Sequence, residues 1–160
     1  MSNLVDLAKG VTAELKVLLA PIQVDRRYMP RTDVADLDDM KIGVYIEGSE
    51  SDEIARGAAT TKRHTLGIAV QQAITPQVPI DADGNPVLDG IDDLSVGDRV
   101  LNIIEQIKGY WLPNGVLRDK MIAECQYLEQ THEPVYEVMH LISMGVYTAI
   151  IDVTYIESGL

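Results

Sequence analysis

Cysteine is nearly absent: Cys125 is the single thiol in a chain of 160 residues. That excludes an intramolecular disulfide and any site built from several thiolates, and it fits a chain made in a reducing compartment. Bases are scarce as well. Thirteen Lys and Arg face 25 Asp and Glu, a formal charge of −12 at pH 7. General attachment to DNA phosphates takes clusters of Lys and Arg, so this balance excludes it. Long apolar runs are missing. Leu4–Leu19 is broken by Asp6, Lys9, Glu14 and Lys16, and the uncharged stretch Leu141–Ile151 is too short to cross a bilayer. Neither reads as a signal peptide or an anchor, and a soluble chain without membrane contact is expected. What is present is ordinary for one globular domain, with 46% hydrophobic and 24% charged residues.

Periodicity organises the chain. Leu4, Leu7, Ala8, Val11, Leu15, Leu18 and Leu19 recur at helical spacing, with Ser2 or Asn3 available as a cap and Pro21 as a stop. Gly10 weakens that helix, so tertiary packing must hold it. Alternation then predicts a strand from Ile22 to Tyr28, a second around Met40–Glu47, and a third over about Thr61–Ile74. Ile42, Val44 and Ile46, and likewise Leu66, Ile68 and Val70, are expected in the core beneath the helices. The polar segment 48–60 reads as a long hairpin loop or a flexible one, to be ordered against a partner. Residues 75–93 form an insertion with three prolines, in which Asp83-Gly84-Asn85 has the chemistry of a hairpin turn.

Ser95 and Asp98 resemble a capping box, and the helix they open buries Val96, Val100, Leu101, Ile104 and Ile107 before ending near Trp111 and Pro113. Asn114-Gly115 is a turn. Alternation over Met121–Glu129 and β-branched and aromatic residues over Val146–Glu157 predict two more strands, with a short helix or turn over Pro134–Gly145. The expected fold is α+β over residues 1–160: a single domain whose mostly antiparallel sheet is backed by an N-terminal and a central helix.

Signatures of catalysis are lacking. His64, His132 and His140 do not have the spacing of a zinc site, and no H-E-x-x-H occurs. Asp81-Ala-Asp83-Gly-Asn85 starts like a calcium loop, but the sixth position is Pro86 and the twelfth Asp92, where Gly and Glu belong. Nucleophile elbows, P-loops and dinucleotide fingerprints are absent, and Cys125 reads as a small core residue. No enzyme, cofactor or metal is therefore expected, and a metal-dependent hydrolase finds no support.

Charge distribution says more. Asp33–Glu53 holds eight acids and one Lys, and Asp81–Asp98 six acids and no base. The plain reading is a solvated surface. The functional one is a face that meets something anionic without adhering, or that takes a basic partner. Glu47, Glu50, Asp52, Glu53, Asp81 and Asp83 are the candidate interface or lumen residues. Arg26, Arg27 and Arg31, and Lys62 with Arg63, read as solvent-facing or ion-paired groups.

The order of elements resembles the tail terminator, or tail completion, proteins of long-tailed bacteriophages. The likeness rests on the N-terminal amphipathic helix, Lys41-Ile-Gly-Val-Tyr-Ile-Glu-Gly48 with its polar sequel, and Arg63-His-Thr-Leu-Gly-Ile-Ala-Val70. It continues through the helix led by Leu94-Ser95, then Val135-Tyr-Glu-Val-Met-His-Leu141 and Tyr147-Thr-Ala-Ile-Ile-Asp-Val-Thr-Tyr155. It spans nearly the whole chain, and the 75–93 insertion is a departure from it. The resemblance implies a virion protein of the tail or neck, assembled in the host cytoplasm. Such a protein forms a homo-hexameric ring on the tail tube protein, stops tube polymerisation and receives the head–tail connector or head-closure protein. DNA passes its lumen without specific binding, which an acidic lining would favour. The alternatives are another neck component, such as a head-closure protein, or an acidic DNA-mimic inhibitor.

Overall fold

The computed structural model describes residues 3–28, 39–53, 60–73, 82–84, 94–132 and 146–159. Helix α1 (Asn3–Leu18) forms where the apolar stripe runs, and it buries Leu7, Ala8, Val11 and Leu15. Gly10 has a packing reason: a Cβ there would lie 2.3 Å from Ile122 Cγ2. Helix α2 (Leu94–Trp111) buries Val96, Val100, Ile104, Ile107 and Trp111 along one face, while Leu101 is half-buried. It begins at Leu94, one residue ahead of the expected Ser95 start.

The strands are β1 (Gln23–Arg26), β2 (Lys41–Glu53), β3 (Thr60–Ala73), β4 (Cys125–Thr131) and β5 (Val146–Gly159). They form one five-stranded sheet in the order β1-β2-β3-β5-β4. Only the β1–β2 pair is parallel; the other three pairs are antiparallel. The fold is thus α+β, with a mostly antiparallel sheet carrying both helices. Helix α1 lies over β1 and β2, and α2 over β5, β3 and β4. Ile42, Val44, Leu66, Ile68, Val70, Ile151 and Val153 are fully buried beneath them, and Ile46 is partly buried against the same cluster. The alternation thus sets the inner face as expected.

Three expectations need correction. Strand β1 is shorter than Ile22–Tyr28. The segment 48–60 is not one loop: Gly48–Glu53 continue β2 and pair with Thr60–Thr65. Polar residues form strand there because β3 supplies the hydrogen-bonding partner that propensity alone does not predict. The strand expected from Met121 begins only at Cys125, because Ile122–Cys125 close a two-residue turn through reciprocal backbone bonds of 3.0 and 2.9 Å. The period of two expected over Met40–Glu47 holds as far as Ile46. A bulge between Ile46 and Gly48 re-phases the strand, so Ser49 turns to the helix-covered side opposite His64. Of the insertion, the turn at residues 82–84 is described, with Gly84 at φ 81. The flanking strands expected over 78–80 and 87–88, and the short helix or turn over 134–145, lie outside the described residues.

Candidate functional site

The acidic face grows out of that bulge. Tyr45 and Glu47 both point away from the helices. Gly67, opposite Tyr45 on β3, has no side chain, and the Tyr45 ring occupies the space above it. Asp152 of β5 lies opposite Gly67 on the same outer face. With only a glycine between them on β3, the Glu47 and Asp152 carboxyl groups are near enough to act on each other. Tyr45 Oη donates a 3.3 Å bond to Glu47 Oε1. Partial burial, then the neighbouring Asp152 carboxyl group, push the Glu47 carboxyl from 4.5 up to about 7. Glu129, opposite Thr154 on β4, adds a third acid to the outer face.

Of the six acids singled out in the sequence, Glu47 and Glu50 stand exposed on β2. Asp52 and Glu53 close the same strand, paired with Thr61 and Thr60. Glu50 faces Arg63 across the ladder, so the segment is less one-sided in charge than its linear composition indicates. Asp83 is exposed in the turn at residues 82–84, and Asp81 lies outside the described residues. Asp152 and Glu129 escape a search for acid clusters because each is the only acid on the outer face of its strand. The readable signal was a single charge among the alternate, outward positions of β5, where Val146, Thr148, Ile150, Thr154, Ile156 and Ser158 are uncharged.

The Glu47–Asp152 pair gives a pH prediction. A carboxyl raised to about 7 in the folded chain, against 4.5 unfolded, contributes stability that is complete below pH 4.5 and is lost as pH rises through 7. The shift alone corresponds to about 3 kcal/mol. Glu47 is more than a third exposed, and screening by solvent reduces this to about 1 kcal/mol. Glu47→Gln should therefore match the parent at pH 4.5 in urea melts and exceed its stability by about 1 kcal/mol at pH 8.5. An identical difference at both pH values would show that the two carboxyl groups are not coupled.

A second polar cluster, unforeseen in the sequence, lies on the helix-covered face at the other side of the sheet. His64 is 3% exposed, and its Nε2 stands 2.8 Å from Glu157 Oε2 while Nδ1 stands 2.9 Å from Ser49 Oγ. Asn3 Nδ2 donates a 2.6 Å bond to Glu157 Oε1, tying the first turn of α1 to β5. The bond from His64, and then that from Asn3, hold the Glu157 carboxyl below its ordinary range. Cys125, fully buried, pairs with Glu157 across the β4–β5 ladder. Burial, then the charges of Glu157 and Glu124, push its thiol up to about 11, so it is no nucleophile at neutral pH. A cleft lined by Asn3, Leu4, Ser49, Ser51, Lys62, His64 and Glu157 opens onto the cluster.

No protein-family model and no curated protein matches the sequence.

Proposed function

We propose that the chain is a structural virion protein: a ring-forming cap that ends growth of a phage tail tube and offers the surface to which the head attaches. The observation that carries this reading is the distribution of exposed large apolar side chains. Leu112, Val116, Met121 and Leu128 stand out at the β4 side of the sheet, and Val17 and Tyr28 at the β1 side. Closing a ring takes head-to-tail contact between two unlike surfaces on opposite sides of the subunit. Exposed apolar side chains at both edges of the subunit suit that contact.

The acidic outer face fits the same role. Tube growth is also head-to-tail and continues unless the last subunit refuses the next one. Like-charged faces supply that refusal, since close juxtaposition costs several kcal/mol. The same charge on a lumen would keep the DNA backbone from adhering. The order of elements that resembles the tail terminators is the further support.

Particles assembled without this protein provide the test. Tails of uncontrolled length that fail to join heads are the expected result. Full heads lacking tails would point instead to a head-closure protein, and a basic nuclease recovered in a pull-down to a DNA mimic. Normal tail length with normal head attachment overturns the proposal. In solution, or on addition of tail tubes, the mass should rise to that of a hexamer, and Leu128→Glu should block the rise without altering the fold.

A further inference from the structure

We propose that His64, Cys125 and Glu157 form a binding site for a divalent transition metal, Zn2+ by the chemistry of its donors. One ligand atom from each residue lies within 4.8 Å of the other two. A nitrogen, a sulfur and a carboxylate oxygen are the donor types that Zn2+ takes, and three protein ligands with a fourth position for water is an established arrangement. Around a tetrahedral ion with bonds of about 2.0–2.3 Å, neighbouring donors sit roughly 3.3–3.8 Å apart. The His64–Glu157 contact of 2.8 Å therefore has to open by about 0.5 Å, and the thiol, within 4.8 Å of both partners, has to close by about 1 Å at most.

The surroundings are those of a built site. Metal-bound imidazole and carboxylate groups are held by outer hydrogen bonds, and both are present here. Ser49 Oγ meets the second ring nitrogen of His64 at 2.9 Å, ready to accept from Nδ1–H when Nε2 turns to the ion. Asn3 engages Glu157 Oε1 at 2.6 Å and leaves Oε2 for the ion. The open cleft over His64 and Glu157 admits the water ligand.

The backbone before Cys125 is held in an uncommon state as well. Ala123 and Glu124 have φ of 50° and 62°, so a two-residue turn that favours Asn-Gly is here made from Ala-Glu. Non-glycine residues in this region cost about 1–2 kcal/mol each, and the turn delivers Cys125 to the cluster. The order Ser–His–carboxylate also occurs in nucleophile relays, but a relay has no use for a thiol beside its His–Glu pair.

On binding, the Cys125 thiol proton leaves to solvent and a metal–sulfur bond forms. With a neutral His64 whose hydrogen lies on the Nε2 facing Glu157, that proton passes to Nδ1 and one proton is released in all. The ion would tie β3, β4 and β5 together at one end, beneath the start of α1.

Cobalt serves as the probe for the full chain, freed of metal by a chelator. Titration with Co2+ should saturate at one ion per chain, with a thiolate-to-cobalt charge-transfer band and the visible bands of tetrahedral Co2+, and Zn2+ should bleach both. Cys125→Ser should abolish the charge-transfer band, and Asn3→Ala, a positioning change, should weaken binding about tenfold or more. His132→Asn, away from the cluster, should change nothing. If Cys125→Ser does not fold, as judged by Trp111 emission, then His64→Gln takes its place and should remove the tetrahedral bands. Lack of stoichiometric binding, or bands unchanged in these variants, overturns the proposal. The test uses the isolated chain, so it stands or falls apart from the ring reading.

Discussion

Trp111→Ala should cost about 3–5 kcal/mol, the range for removing a large buried aromatic side chain. The indole is fully buried at the C-terminal end of α2, where it donates a 2.8 Å bond from Nε1 to Tyr155 Oη. Its ring stacks on Tyr127 with centroids 6.3 Å apart, and Tyr127 meets Tyr155 edge to face at 6.1 Å. The chain has no phenylalanine, so its aromatic core consists of groups that each bring a polar atom inside. The substitution therefore opens a cavity and also strips the buried Tyr155 hydroxyl, whose ionisation burial pushes well up, of its partner.

Domains are stable by only about 5–15 kcal/mol, so such a loss leaves a marginal fold. At roughly 2–4 °C per kcal/mol for this size, Tm should fall by about 10 °C or more. Urea melts followed by far-ultraviolet circular dichroism suit the measurement, because the variant loses its only tryptophan. Tyr155→Phe, which removes the hydroxyl alone, should cost about 1–2 kcal/mol. A Trp111→Ala cost under about 1 kcal/mol would mean that the ring does not fill the space between α2 and the sheet.

Gly115→Ala should be the costliest single-methyl addition among the described glycines, at about 2–3 kcal/mol. A Cβ at this position would lie 2.3 Å from the Tyr110 carbonyl oxygen and 2.5 Å from that of Gly109. Both obstacles are helix backbone, which cannot rotate aside as a side chain does. The segment beyond α2 must shift, and that segment satisfies the exposed end of the helix. Leu117 N–H donates to Tyr110 O at 2.9 Å, and the Arg118 guanidinium donates to Trp111 O at 3.0 Å. Leu117 itself is buried at 1% exposure and would be unseated. Asn114→Gly is the contrasting case. Asn114 has φ of 71°, a conformation glycine adopts freely, so that change should be neutral or slightly stabilising. If Gly115→Ala proves as mild as Asn114→Gly in the same melts, the close approach at Tyr110 is not real. Gly115 and Trp111 share this helix end, so their costs should not add.

Much of the fold was legible because periodicity belongs to a single segment. The stripe of α1, the stripe of α2 and the triplets on β2 and β3 each identify their buried face without knowledge of the partner. Helix α2 also ends where Trp111 and Pro113 indicate, with Asn114 in the left-handed turn.

Pairing was not legible. Gly48-Ser-Glu-Ser-Asp-Glu53 has the composition of a loop and is a strand because β3 stands beside it. The bulge at Glu47 reverses the phase of β2, sending Ser49 inward to His64 and leaving Glu50 outward. The clustered acids of β2 could be read from composition, but the partner that changes Glu47 is Asp152, in another strand. The His64–Cys125–Glu157 cluster was hidden more deeply, with His64 and Glu157 separated by 93 positions. The sequence by itself determined which residues face the core within each element, through the fixed geometry of helix and strand. The tertiary structure alone decided register, bulge and donor cluster, because these are contacts between segments, and their energies depend on both partners at once.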